Sequence, residues 1–345
     1  MRHILGRVDS ESVIAQRLRE LETLETELRE ALDGDISRWV DTIPGQARDA
    51  VDELYAAGGK RLRPVLALLC GGAGGGTPRQ ALPVAAAVEL LHTGTLLHDD
   101  IVDEGEVRRG RPTARSVYGN ALAVLAGDFC YFAALDGLVE HNDHEILRRS
   151  MQVARSLSEG ELIQLQRRGT AQFDDEAEYF RIIDKKTASL VAFATWGGAR
   201  CGGASPEQQQ ALDVFGRKLG QAFQIVDDVL DFSADPEIFG KALGQDVVEG
   251  TVTLPLICAL ERDPGLRHDV TALVAAFHAS AEGEEYEADA SPIIERVLAS
   301  GGLDAAKAIA ARVTTDALDA LQPVPDSPYR RALSLLGASM LDRTT

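Results

Sequence analysis

Between residues 12 and 33 the apolar positions Ile14, Leu18, Leu21, Leu24, Leu28 and Leu32 recur at helical spacing. That period gathers them on one face of a helix. More apolar stretches of the same kind predict helices over 81–103, 114–140, 144–169, 174–201 and 206–233. Gly71-Gly72-Ala73-Gly74-Gly75-Gly76 before Thr77-Pro78 reads as a loop, and so does the stretch with Gly105, Gly110 and Pro112. The first of these fits neither nucleotide-binding glycine pattern, G-x-G-x-x-G or G-x-x-x-x-G-K-[ST]. Glu282 to Asp289 is acidic and predicts a solvated loop. Ser291-Pro292 opens a further helix, with Ser291 as cap and Pro292 first inside, and Gly301-Gly302 closes it. Helix follows helix without an alternating strand signal, so the chain is expected to be all-α. No linker divides it, so one domain over 1–345 is expected. Its N-terminal segment, 1–35, contributes an amphipathic helix that serves either the core or a subunit contact.

Of the 345 residues 45% are apolar and few are aromatic, which leaves ample core material and favours helix. The formal charge of −19 opposes nonspecific binding to nucleic acid or anionic lipid. A phosphorylated substrate would therefore need local basic groups or a metal ion. Cys70, Cys130, Cys201 and Cys258 are scattered, with no zinc or redox spacing, and predict reduced, buried thiols in a cytoplasmic protein. The first residues soon meet Asp9 and Glu11, unlike a signal peptide. No uninterrupted apolar run reaches about 18 residues, so no membrane span is expected.

Two acidic clusters sit in apolar helical stretches: Asp99-Asp100-Ile101-Val102-Asp103 and Asp227-Asp228-Val229-Leu230-Asp231. Each reads D-D-x-x-D. Positions i and i+4 share a helix face, which pairs Asp99 with Asp103 and Asp227 with Asp231. Like charges so placed destabilise a bare helix. A hard divalent cation reverses the effect, because Mg²⁺ takes carboxylates together with substrate phosphates and water. Basic groups adjoin both clusters. Arg108, Arg109, Arg111 and Arg115 follow the first and Gly240-Lys241 the second, while Lys60-Arg61-Leu62-Arg63 and Lys185-Lys186-Thr187 lie elsewhere. Any one of these alone reads better as a surface charge; jointly they outline anion sites. His92, seven residues before Asp99 and near its face, is by itself more often a packing residue. His98 lies off that face and reads as structural.

These blocks, in this order, resemble the trans-isoprenyl diphosphate synthases, the polyprenyl synthetase family, and most of all its long-chain members. The stretch from Glu89 through His92 to Asp103, with Arg108-Arg109-Gly110, is similar to the family's first aspartate-rich motif; Phe223-Gln224 through Asp231 is similar to its second. Gly59-Lys60-Arg61-Leu62-Arg63-Pro64, Lys186-Thr187 and Thr253-Leu254-Pro255-Leu256 are similar to further family blocks. The resemblance covers roughly residues 40–345. It implies an isoprenoid-synthase-type helical bundle around a central cavity, and a homodimer. It implies about three Mg²⁺ ions per active site, bound by Asp99, Asp103 and Asp227 with Asp100 and Asp231 in support, and bridging an allylic diphosphate. Arg108, Lys186 and Lys241 would contact that diphosphate. Lys60, Arg63, His92 and Arg109 would hold the diphosphate of isopentenyl diphosphate. Thr187 and Gln224 would lie beside the developing allylic cation. One departure is visible: Glu249-Gly250-Thr251-Val252-Thr253 has Thr251 where family members often have lysine.

Product length turns on the helix that ends at Asp99, because the growing chain is expected to run beside it. Family members with short products often carry a bulky aromatic residue shortly before the cluster. Here Gly94 and Thr95 are small, with Leu91 one turn further back. The resemblance thus implies an open tunnel and an all-trans product longer than C20, primed by farnesyl or geranylgeranyl diphosphate. On the alternative reading Gly94 only permits close helix packing. Phe129 and Phe132 are candidates for a deeper floor. Competing readings are a short-chain synthase stopping at C15 or C20, a noncatalytic partner subunit, and a terpene cyclase. Intact aspartates and arginines oppose the partner subunit; the second diphosphate site around Lys60, Arg63 and Lys186 opposes the cyclase.

Overall fold

The computed structural model describes residues 30, 32–56, 61–108, 110–167, 173, 175–233, 243–280 and 289–340. Most of the helix expected over 12–33, the acidic stretch up to residue 288, and Lys60, Arg109 and Lys241 lie outside the described residues. The helices are, in chain order, α1 (32–40), α2 (Gly45–Ala56), α3 (Leu62–Ala73), α4 (Leu82–Val102), α5 (Ala114–Tyr118), α6 (Asn120–His141), α7 (His144–Arg167) and α8 (Glu176–Ile183). They continue with α9 (Ser189–Cys201), α10 (Pro206–Ser233), α11 (Gln245–Glu249), α12 (Leu254–Leu260), α13 (Leu266–Ser280), α14 (Ser291–Ala299), α15 (Gly302–Ala320) and α16 (Pro328–Ala338). The only strands among the described residues are β1 (Val107–Arg108) and β2 (Arg111–Pro112), an antiparallel pair with Arg108 opposite Arg111. The all-α expectation holds.

The chain forms two compact units. The first takes in the described residues up to Ala154, with Leu190–Asp213 and Leu321–Ser334. Within it α4 packs along α6 and against α3. Leu66, Leu68, Leu90, Leu91, Leu97 and Leu138 are fully buried there. Gly71, Gly72 and Ala73, read from the sequence as loop, are instead the last turn of α3. The reason lies on α9: a Cβ on Gly198 would collide with the Ala67 carbonyl, and one on Gly202, just past the helix end, with the Gly71 carbonyl. Glycine on both sides lets the two backbones meet.

The second unit takes in Arg155–Ser189, Val214–Ala320 and the described residues from Leu335. Here α12 packs on α15 and α11 on α13. Ile225, Val229 and Phe232 of α10 join Leu254, Leu256 and Val297 in its core.

Two expected helices are interrupted. The one over 114–140 breaks at Gly119 (φ +83°) into α5 and α6. The one over 174–201 contains a π turn, Asp184–Ala188, between α8 and α9. At α14 the cap position is Ala290 rather than Ser291, and the Ser291 N–H is met by Asp289 Oδ1 at 2.9 Å. α6 is long and apolar enough to cross a membrane. Asp128 and Asp136 interrupt it, which is why no uninterrupted run was visible; its inward face, including Ala126, Cys130 and Leu138, is buried. No cysteine is in a disulfide.

Candidate functional site

In the first unit α4 carries the first acidic cluster on its last turn and ends at Asp103, whose N–H closes on the Asp99 carbonyl at 2.8 Å. Asp100 is buried, and its Oδ1 accepts from Arg108 Nε at 2.6 Å. Burial pushes its carboxyl up, and the Arg108 guanidinium opposes that. Asp99 is half-buried and Asp103 exposed. The β1–β2 hairpin places Arg108 beside the cluster, so its observed partner is the cluster's own second aspartate. Arg115 turns back in the same way, donating to the Glu104 carbonyl at 2.8 Å and the Glu106 carboxylate at 2.6 Å.

Arg63 lies on the first turn of α3, and its Nη1 is 3.1 Å from His92 Nε2 on α4. A guanidinium only donates, so Nε2 accepts and the imidazole proton of His92 sits on Nδ1. Two residues that the resemblance assigns to one diphosphate are thus brought together. Beside them Arg61 has a left-handed backbone (φ 44°), and its guanidinium lies 3.5 Å from the Tyr55 ring centroid.

On the side of α4 that meets α6 the open-tunnel reading of Gly94 is corrected. A Cβ there would lie 2.9 Å from the Tyr131 ring and 3.0 Å from the Gly127 carbonyl. The space left by the missing side chain is filled by Tyr131, so Gly94 is a packing glycine. Thr95, four residues before Asp99, is the small residue that shares its face. Leu91 is fully buried. His98 stacks on Tyr131 (centroids 5.9 Å apart) and its Nε2 lies 3.1 Å from the Val124 carbonyl, in keeping with a structural role. Phe129 is half-buried, but Phe132 is 59% exposed and gives no floor within this unit.

In the second unit the π turn brings Lys186 and Thr187 to α7 and α10. Such a turn widens the helix by one residue and shifts whatever follows. Lys186 Nζ is held by Glu161 (2.6 Å) and Gln164 (2.7 Å). Thr187 Oγ1 donates to Gln224 Oε1 at 2.8 Å, and Gln224 Nε2 donates to Asp228 Oδ1 at 2.9 Å. The Tyr179 hydroxyl donates to Asp228 Oδ2 at 2.5 Å. Burial pushes the Asp228 carboxyl up to about 7, against the lowering effect of Tyr179 and Gln224. Asp227 is half-buried, and Asp231 is buried. Both motifs therefore divide alike: the second aspartate is tied inward while the first is more exposed. Tyr179→Phe removes one donor from a buried carboxylate and is expected to cost about 1–3 kcal/mol in urea unfolding.

Lys186, Thr187, Gln224 and Asp228 line a cavity of about 190 Å³ together with Gln164, Arg167, Tyr179, Asp246 and Thr251. Sequence reasoning had missed Gln164, Arg167, Tyr179 and Asp246. Gln164 and Arg167 share a helix face by spacing, but nothing in the sequence marked that face as inward. Oxygen donors such as these aspartates fit a hard cation. Among the described residues no three carboxylate, imidazole or thiol groups converge into a ready-made ligand set. Mg²⁺ takes one or two carboxylates and completes its shell with phosphate and water.

The polyprenyl synthetase family model matches residues 45–288. A short chain isoprenyl diphosphate synthase of Methanothermobacter thermautotrophicus is 38% identical over 307 residues, 88% of this chain and 92% of that protein. An all-trans-nonaprenyl-diphosphate synthase (geranyl-diphosphate specific) of Rhodobacter capsulatus is 38% identical over 314 residues, 91% of this chain and 94% of that one. A crystal structure of polyprenyl synthase from Caulobacter crescentus, complexed with calcium and isoprenyl diphosphate, has a TM-score of 0.85 at 34% identity, covering 98% of this chain and 99% of its own. An all-α isoprenoid synthase fold bearing two D-D-x-x-D helices defines the class, a prenyltransferase. The chain belongs to the polyprenyl synthetase family.

Proposed function

We propose that the protein is a long-chain all-trans polyprenyl diphosphate synthase, which condenses isopentenyl diphosphate head-to-tail with an allylic diphosphate. The observation that carries this reading is the chain from Thr187, beside Lys186 on the π turn, to Gln224 and Asp228 on the helix of the second aspartate cluster. The family match spans parts of both units, which supports one catalytic domain over 1–345. Asp99, Asp103 and Asp227 would hold magnesium, with Asp100 and Asp231 in support. When bound, magnesium neutralises the diphosphate and weakens its bond to the allylic carbon. Lys186 and Arg108, with Lys241 by resemblance, stabilise negative charge as it develops on the leaving diphosphate. Arg63 and His92, with Lys60 and Arg109 by resemblance, hold the isopentenyl diphosphate. Thr187 and Gln224 turn their oxygens toward the allylic cation. No side chain acts as nucleophile: the double bond of isopentenyl diphosphate attacks the cation, and the departed diphosphate takes the proton. Apolar helix faces keep water from the cation.

The nonaprenyl name among the relatives and the small Thr95 on the Asp99 face support a product longer than C20; the short-chain relative keeps C15 and C20 as the alternative. The test is to incubate the protein with Mg²⁺, farnesyl diphosphate and excess isopentenyl diphosphate, then size the dephosphorylated products by mass spectrometry. A ladder ending beyond C20 is expected. A stop at C20 overturns the long-chain reading, and no product from any allylic primer overturns the synthase.

A homodimer through α6 is part of the same proposal. Leu125, Phe132 and Val139 recur every seven residues on its outer face and are 55%, 59% and 56% exposed. An apolar stripe at heptad spacing suits packing against the same helix of a second copy. Phe132→Glu is expected to give a monomer by light scattering; a dimer that persists removes α6 as the contact.

A further inference from the structure

Among the described residues the cavity in the second unit presents two cations. Lys186 is one; Arg167, the last residue of α7, is the other and has no role assigned so far. A cation at a helix C-terminus can serve the helix dipole alone. Four observations point further. Arg167 lines the same cavity as Lys186, Thr187 and Gln224. Its Nη2 meets Glu178 Oε1 at 2.5 Å, and both side chains are only 23% exposed, so the guanidinium is held in place rather than left in solvent. Glu178 is shared with Arg181, which reaches it through Nε at 2.7 Å and Nη2 at 2.6 Å. Gly250, Thr251, Val252 and Thr253 form another wall and bring no positive charge.

We propose that Arg167 is a diphosphate-binding residue of this cavity, supplying beside Lys186 the positive charge that Thr251 does not, with Glu178 as its positioning residue. The inference rests on the reading of this cavity as the allylic diphosphate site. A guanidinium carries five N–H donors in a fixed fork, a geometry that suits two oxygens of one phosphate as well as a carboxylate. Lysine at 251 would offer a single point charge in place of that fork.

The experiment is steady-state kinetics with farnesyl diphosphate, isopentenyl diphosphate and Mg²⁺ on the wild type, Arg167→Ala, Arg167→Lys, Thr251→Lys and the Arg167→Ala/Thr251→Lys pair. Arg167→Ala is expected to raise KM for farnesyl diphosphate about 10- to 100-fold, the loss of a charged hydrogen-bonding partner. KM for isopentenyl diphosphate and the melting temperature should stay near wild type. Arg167→Lys should fall between, and Thr251→Lys should restore KM in the Arg167→Ala background, a rescue that a purely structural arginine would not show. An unchanged KM in a folded Arg167→Ala, equal shifts for both substrates, or failed rescue overturns the assignment. Should Arg167→Ala not fold, Arg167→Lys decides: a KM as in wild type sinks the fork, and a rise that Thr251→Lys reverses supports it. Product formation by the wild type separates this failure from that of the synthase reading. A wild type inactive with every allylic primer sinks both.

Discussion

Asp227→Ala is expected to lower turnover about a thousand-fold or more while leaving the fold intact. The contrast within the motif is what makes the test sharp. Asp227 is half-buried, whereas its neighbour Asp228 takes the hydrogen bonds of Tyr179 and Gln224 inside the second unit. Removing Asp227 takes away a hard oxygen donor but leaves that buried network in place. Asp228→Ala instead strands two donors and should lose stability as well as activity. The first motif repeats the division, with Asp100 held by Arg108 and Asp99 more exposed, so Asp99→Ala should behave as Asp227→Ala does. Turnover measured at saturating Mg²⁺, alongside circular dichroism, decides. Near-normal turnover in either variant would refute the metal assignment.

Gly198→Ala is expected to destabilise the protein by about 3 kcal/mol, at the upper end for an overpacked site. The obstacle is the Ala67 carbonyl, a backbone atom in the middle of α3, so no side-chain rotation relieves it. The added methyl must separate α9 from α3, and their contact is made by main chain. Thermal unfolding should shift down by about 4 °C. Gly34→Ala is the control: a Cβ there meets nothing within 4 Å, and the residue lies in α1, where alanine favours helix. A Gly198→Ala protein as stable as wild type would mean that the two helices are not in backbone contact.

How much of this was legible in the sequence depended on whether the partner was local. α4 and α10 were visible almost to the residue, because apolar periodicity and the acidic clusters are properties of one helix. The pairing of Asp99 with Asp103 and of Asp227 with Asp231 on one face was visible for the same reason, whereas the roles proposed for Lys186 and Gln224 came from the resemblance. Gly71 to Ala73 were misread because glycine has two uses, turning a chain and admitting another chain, and only α9 shows which applies. Gly94 failed in the same way: its neighbour Tyr131 is on a different helix, so an apparent opening was a filled contact. Tyr179, Gln164 and Arg167 escaped notice because inwardness belongs to packing, not to spacing. The π turn escaped because nothing in Asp184-Lys185-Lys186-Thr187-Ala188 distinguishes it from an ordinary helical run.

That turn carries a consequence for how the site can change. A helix acquires such a bulge when one residue is inserted into a regular helical run. Deleting Lys185 should restore a regular helix and draw Thr187 out of the widened turn. The hydroxyl on Asp228 and the threonine on Gln224 could then no longer be satisfied together, although both side chains would still be present. Their joint aim at one glutamine–aspartate pair is set by a count of residues as much as by their identity. A single-codon deletion would test that dependence more cleanly than any substitution.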